Sequence, residues 1–297
     1  MIEYLETKGT AQEHTQAELG IATKSGAPDF CTKIDVENET LIAHGIRHQF
    51  PHHAIIGEES VGTGRIPPVE TSVPTWIIDP IDGTTNFVAG LHPLTCVSIG
   101  YCVDGTPVVG VIYVPSTQEL YLGVQGYGAY RNGHKLSQQA TTATKSLREA
   151  VICNEMGYTR NAHELDILLG AQRRLYVQGC QGFRQLGSGC LDLCYVASGR
   201  LDLVYAGLCT EGWKPWDYAA GYIIIKEAGC YMEPIYTNAT TTTNKTTTTT
   251  DDQNKDGAVS SSSAAFDLYG TSVICAVSKE LLDAVRAVIL DDLPIVD

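Results

Sequence analysis

Trp76-Ile77-Ile78-Asp79-Pro80-Ile81-Asp82-Gly83-Thr84-Thr85-Asn86-Phe87 decides how the rest of the chain is read. Ile77 and Ile78 are apolar and β-branched and predict a buried strand running up to Asp79, with Pro80 and then Gly83 breaking regular structure. Thr84, Thr85 and Asn86 offer the short polar side chains that cap a new helix. Two acids at a strand's end therefore stand just before a helix start. Close carboxylates repel unless a cation lies between them, and all-oxygen ligation favours a hard ion such as Mg²⁺. The free N–H groups of the helix start suit a phosphate. Taken singly, each acid is more ordinarily a loop residue: Asp82-Gly83 is a common turn pair, and Asp79 alone could satisfy loop amides.

The composition predicts a globular, soluble protein. The 297 residues are 43% hydrophobic, enough for one large or two ordinary domains. A formal net charge of −14 argues against nucleic acid or an anionic membrane as partner. An acidic chain that binds an anionic substrate needs metal to invert the local field. The ten cysteines form no Cys-x-x-Cys pair, Cys190 and Cys194 being the closest, which predicts reduced thiols in a cytoplasmic protein. Met1–Glu6 has neither a basic nor an apolar leader region, and no run is long enough to span a bilayer.

Outward from the central string, the pattern divides near residue 150. In the N-terminal α+β part, 1–149, residues 1–23 show no firm periodicity and Lys24–Asp29 reads as a loop. Phe30–Asp35 predicts a short strand leading into a helix capped by Asp35, with Leu41, Ile42, Ile46 and Phe50 as its apolar stripe and Pro51 as its stop. Ala54–Ser60 repeats the central logic: a short strand ends in Glu58 and Glu59, and adjacent acids there point to opposite faces, so one of the two can reach Asp79 and Asp82. Strands over 95–101, 108–114, 120–124 and 126–130, with Asp104-Gly105 and Asn132-Gly133 as turns, predict an antiparallel sheet.

The C-terminal part, 150–297, alternates strands and helices, as a layered α/β arrangement requires. Strands are expected at 151–153, 182–186, 201–205 and 271–277, and helices at 165–175, 190–197, from about Trp213 to Gly229, and 279–290. Gly187-Ser188-Gly189 precedes the second helix, and Asp217 is placed to cap the third. Arg184 is read either as a salt-bridge residue or as a substrate contact. Residues 237–265 are threonine and serine runs with almost no apolar side chain, a composition that predicts a disordered loop extension, since the strand and helix that follow close the domain.

The central string resembles the first signature of the inositol monophosphatase family of magnesium-dependent phosphatases. Gly57-Glu58-Glu59 is similar to that family's Gly-Glu-Glu. Trp216-Asp217-Tyr218-Ala219-Ala220-Gly221, followed by Glu227-Ala228-Gly229, resembles its second signature, with Cys230 standing where a further glycine is usual. The resemblance covers about residues 24–236 and 266–290, and the chain looks shortened before Lys24, where the family has a longer amphipathic helix. It implies an α/β layered sandwich, two to three Mg²⁺ ions, inhibition by lithium and a homodimer.

Carried over residue by residue, the resemblance has Glu58, Asp79 and the Ile81 carbonyl hold one ion and Asp79, Asp82 and Asp217 a second. A third, weaker one would bind through Glu58, with the Lys24 loop nearby. Thr84, hydrogen-bonded to Asp35, would orient the attacking water and accept its proton. The amides of Gly83, Thr84 and Thr85 would carry phosphate oxygens, and the Gly187-Ser188-Gly189 segment would meet the substrate. Glu211 looks like the family's sugar-facing acid, six residues before Asp217 where seven is typical. Gly83-Thr84-Thr85-Asn86-Phe87 resembles the inositol phosphatase branch, which puts myo-inositol monophosphate first among substrates. Histidinol phosphate or a nucleotide or sugar bisphosphate is the alternative, and a catalytically silent, acidic metal-binding scaffold is a different class altogether.

Overall fold

The computed structural model describes residues 22–23, 30–137, 145–209, 212–236 and 266–291. The 1–21 stretch, the Lys24–Asp29 loop, Glu211 and the 237–265 insert lie outside these residues. In chain order the elements are β1 (Ala22–Thr23), β2 (Phe30–Cys31), α1 (Lys33–Gln49), β3 (Ala54–Gly57), α2 (Glu58–Val61), β4 (Thr75–Asp82) and α3 (Thr84–Val88). There follow β5 (Cys96–Val103), β6 (Thr106–Val114), β7 (Glu119–Val124), β8 (Gly128–Arg131), β9 (His134–Leu136), β10 (Val151–Glu155), α4 (Ala162–Gln178) and β11 (Gly182–Arg184). The chain closes with α5 (Gly189–Ala197), β12 (Leu203–Ala206), α6 (Pro215–Ala228), β13 (Tyr231–Glu233), β14 (Val273–Ala276) and α7 (Lys279–Leu290).

Both turns expected between strands form as the sequence demands. Asp104, Gly105, Asn132 and Gly133 have φ of 50°, 76°, 48° and 78°, the paired positive values that match a hairpin to the strand twist. The result is a seven-stranded sheet in the order β3-β4-β5-β6-β7-β8-β9, antiparallel except where β3 joins β4 in parallel. The second sheet has five strands in the order β11-β10-β12-β14-β13, parallel over its first three and antiparallel beyond.

Helices α5 and α6 lie between the two sheets, sharing a core in which Cys96, Ile112 and Tyr121 meet Leu191, Leu193, Ile224 and Val204. Helices α4 and α7 cover the other face of the five-stranded sheet, where Leu168, Leu175, Leu282 and Val285 pack on Ile152, Leu203 and Ile274. The layered α/β sandwich expected from the sequence is therefore present.

The seat of α6 follows from one row of the large sheet. Gly100, Gly110 and Gly123 are cross-strand partners on β5, β6 and β7. A Cβ on Gly110 would stand 2.3 Å from the Ala220 carbonyl oxygen, one on Gly100 2.6 Å from the Ala219 Cβ, and one on Gly123 2.8 Å from the Ile224 Cα. On the other side of the helix, a Cβ on Gly221 would lie 2.3 Å from Leu193 of α5. Glycine is what lets backbone meet backbone here. At the far end the Glu227 carboxylate accepts the N–H groups of Gly126 and Gly128, both at 2.9 Å, and Gly229 ends the helix at φ 82°.

Three local expectations are corrected. β4 does not stop at Asp79 but runs on through Pro80 to Asp82, with the register to β5 shifting between the two acids; the shift accommodates a proline that cannot donate to the ladder. The N-cap of α1 is Thr32, whose side chain accepts from Ile34 and Asp35, and Asp35 is the third helical residue, closing a capping box back onto Thr32. The buried face of α1 is Asp35, Glu39 and Ala43, whereas Leu41 is 72% exposed. That face is polar because its acids satisfy backbone amides: Glu39 takes the N–H groups of Glu59 at 2.7 Å and Ser60 at 2.9 Å.

Candidate active site

Asp79 is buried in β4, and its Oδ1 has no hydrogen-bond partner. It lies with Asp82, Asp217 and the Cys190 thiol in a group whose potential ligand atoms all fall within 4.8 Å of one another. An acid in this setting resists ionisation. Burial, then the charges of Glu58 and Asp82, push the Asp79 carboxyl well above its usual range. Asp217 is raised as well, by burial first and then by Asp82.

Each acid is brought there by its element. Glu58 opens α2, and its backbone is fixed because Gly57 admits the Glu39 carboxylate: a Cβ on Gly57 would stand 2.3 Å from Glu39 Cδ. Asp82 ends β4 and is held by Ser188 Oγ at 2.5 Å, the Cys190 N–H at 2.9 Å and the Cys96 thiol at 3.7 Å. All three fall on Oδ2, so Oδ1 takes none of them. Burial raises this carboxyl, and the three donors work against the rise. Asp217, third residue of α6, accepts the Lys214 N–H at 2.6 Å, so it both caps the helix and joins the acidic group. Sequence alone had presented those two roles as rivals.

The residues suit a hard cation. The carboxylates of Glu58, Asp79, Asp82 and Asp217 and the Ile81 carbonyl supply oxygen, and the orphaned Asp79 Oδ1 is the buried polar atom that such an ion would satisfy. The one sulfur in the group is that of Cys190, which burial keeps protonated and which turns to the Trp216 and Asp217 carbonyls.

Beside the acids, Gly83 at φ 84° caps the start of α3, and Gly83, Thr84 and Thr85 line the cleft. Thr84 Oγ1 donates to the Ile81 carbonyl at 3.0 Å and approaches Asp35 Oδ1 at 3.4 Å, the pairing expected from the resemblance. The expected capping of α3 by Thr84, Thr85 and Asn86 does not occur. Asn86 reaches across the cleft floor instead, donating to the carbonyls of Leu94 at 2.9 Å and Leu186 at 2.6 Å. Gly187, Ser188 and Gly189 line the opposite wall, and a Cβ on Gly189 would stand 2.7 Å from the Trp213 ring. Arg184 turns back onto the Phe183 carbonyl at 2.7 Å and does not line the cleft.

The family model described as "Inositol monophosphatase family" matches residues 3–280. The chain belongs to the inositol monophosphatase family. It is 40% identical over 204 residues to inositol monophosphatase 2 of Solanum lycopersicum, covering 69% of this chain and 74% of that one. It is 37% identical over 218 residues to inositol monophosphatase 1 of Sus scrofa, covering 73% and 76%. Its fold is similar to that of the IMPase of Thermotoga maritima, with a TM-score of 0.69 and 27% identity over 97% of this chain and 92% of the other. One cavity of about 920 Å³ is lined by Asp79 and residues 81–86 from the first string and by Trp216 and Asp217 from the second. The residues that sequence reasoning missed are Asn86 as a cross-cleft donor, Glu39 behind Glu58, and Glu155. Of these, only Asn86 carried a local signal, its place inside the central string.

Proposed function

We propose that the protein is a Mg²⁺-dependent phosphomonoesterase that hydrolyses myo-inositol monophosphate to inositol and phosphate. The observation that carries this reading is the buried, unpartnered Asp79 Oδ1 set among Asp82, Asp217 and Glu58 beside the amide-bearing start of α3. Glu58, Asp79 and the Ile81 carbonyl would hold one ion and Asp79, Asp82 and Asp217 a second, with a third through Glu58. Bound there, Mg²⁺ supplies neutralising charge and an acidified water. The chain's own residues do the rest. Thr84 would orient the attacking water and take its proton while its own hydroxyl proton passes to Asp35. The Gly83, Thr84 and Thr85 amides receive the phosphate oxygens. Gly187, Ser188 and Gly189 face the leaving group, and Glu211 and Asp217 receive its hydroxyls.

The family relationship supports inositol monophosphate, inhibition by lithium, a homodimer and a cytoplasmic setting. No helix among the described residues is long and apolar enough to cross a membrane. A second reading, the same chemistry on a larger phosphomonoester, is favoured by the cleft itself, which extends past the acids to Met156, Tyr158, Arg160 and Lys214. Phosphate release from a panel of inositol monophosphate, histidinol phosphate and nucleotide and sugar bisphosphates, with Mg²⁺ and with chelator, separates these readings. Release unaffected by excess chelator would refute the metal mechanism, and no release from any member would leave a silent metal-binding protein.

A further inference from the structure

Two acids next to the cleft take no part in the chemistry above. Glu155 ends β10, and its Oε1 accepts the N–H groups of Leu186 at 2.9 Å and Gly187 at 3.0 Å. Asp192, in the first turn of α5, is completely buried. Its Oδ1 accepts the Cys153 thiol at 3.5 Å, and its Oδ2 has no partner at all. The same thiol lies 3.6 Å from Glu155 Oε1, and the potential ligand atoms of the three residues all fall within 4.8 Å of one another.

Two carboxylates so placed cannot both ionise, because each would be buried against a like charge. A single proton relieves the conflict and satisfies the orphaned oxygen. Its place is on Asp192. Burial and the neighbouring charges of Glu155 and Asp82 push the Asp192 carboxyl well above its usual range, while on Glu155 the rise from burial is opposed by the Gly187 and Leu186 amides. Burial also keeps the Cys153 thiol protonated, so it serves as a donor and not as a third charge.

We propose that Glu155 and Asp192 form a hydrogen-bonded pair of one carboxylate and one carboxylic acid that positions the Leu186–Gly189 turn against the leaving group of the substrate. The turn needs such an anchor. Gly187 sits at φ 71°, and the Leu186 and Gly187 carbonyls are held from the other side, by Asn86. Asp192 fixes Glu155, Glu155 fixes the turn through the Leu186 and Gly187 amides, and the turn delivers Ser188 Oγ and the Cys190 N–H to Asp82. Both are positioning residues, and their role rests on the reading of this cleft as a phosphatase site.

The test compares Asp192→Asn, whose amide keeps a donor of the same shape, with Asp192→Ala in the full chain with Mg²⁺ and inositol monophosphate. Asp192→Asn should stay within about twofold of wild type, whereas Asp192→Ala should raise KM about tenfold with a smaller change in kcat, because a misplaced binding turn costs binding first. Independently of turnover, the infrared band of a protonated carboxyl present in the wild type at neutral pH should vanish in Asp192→Asn. Amide exchange at Leu186 and Gly187 should quicken in Asp192→Ala alone. An Asn variant as impaired as the Ala variant, or an unchanged carboxyl band, overturns the pair. If Asp192→Ala does not fold, the Asn variant and its band decide. A wild type that hydrolyses nothing would sink the phosphatase reading, and the band and the exchange rates would still decide for or against the pair.

Discussion

Asn86 Nδ2 donates to the Leu186 carbonyl oxygen at 2.6 Å, joining two cleft walls that are 100 residues apart in the chain. The same amide group reaches the carbonyls of Leu94 and Gly187. Asn86→Ala leaves these acceptors without a donor, and should lower stability by about 1–3 kcal/mol while raising KM for inositol monophosphate. Thermal unfolding and steady-state kinetics check it; unchanged KM with a lowered Tm would confine Asn86 to a structural part.

Thr84 does not cap α3, so its removal should cost chemistry more than stability. Thr84→Ala should slow turnover by about 10²–10⁴-fold with Mg²⁺ affinity largely kept. Asp35→Asn should do much the same, and the double variant should be little worse than either, since residues acting as a unit are not additive. Asp35 also closes the capping box of α1, so its variant should in addition lose about 1 kcal/mol of stability. Near wild-type turnover in Thr84→Ala would remove that residue from the proton path.

The metal-free protein should lose stability as pH rises. Asp79 and Asp217 are both held above the ordinary carboxylate value of 3.8, chiefly by burial. An unfolded chain releases these protons near that value and the folded chain keeps them, so the folded state binds more protons above it and its advantage shrinks as they leave. Glu119, whose carboxyl is lowered by hydrogen bonding to Arg200, acts in the opposite sense, so the comparison must be made with a variant. In chelator, Tm of Asp217→Asn relative to wild type should increase between about pH 5 and pH 8, and Mg²⁺ should stabilise the wild type most at the upper end. Parallel Tm curves for the two proteins would reject this account.

The 237–265 segment joins β13 to β14, which are antiparallel neighbours with Tyr231 opposite Ala276 and Glu233 opposite Ile274. The two strands that flank it are therefore adjacent in the sheet. Deleting Asn238–Ser263 and closing with a short turn should leave kcat and Tm nearly unchanged, because loop closure depends only weakly on length. A marked loss in either would show that the segment binds the folded body.

What the sequence revealed was chemistry tied to local pattern. Asp79 and Asp82 stand in one string, Asp217 in another, and turn residues such as Asn132-Gly133 declare their own conformation. What it hid depends on contacts between distant segments. Glu39 carries no signal in the helix pattern, and its part shows only where α2 supplies the Glu59 and Ser60 amides. Glu155 and Asp192 are 37 positions apart, and neither has meaning without the other. Capping roles were misassigned by a few residues, at Thr32 and Asp35, because several polar side chains in a row compete for the same amides.

The glycine row beneath α6 has a bearing on which ion the protein accepts. Metal selectivity is usually discussed through ligand identity, yet here one proposed ligand, Asp217, rides on a helix wedged between bare strands and Leu193 and latched by Glu227 at its far end. On the proposed ligand set, moving Asp217 outward for a larger cation would mean lifting α6 off the glycine row. Mg²⁺ demands tight, regular coordination and Ca²⁺ tolerates loose coordination. A single methyl group added at Gly110, which would stand 2.3 Å from the Ala220 carbonyl oxygen, would act as a shim under the helix that carries Asp217.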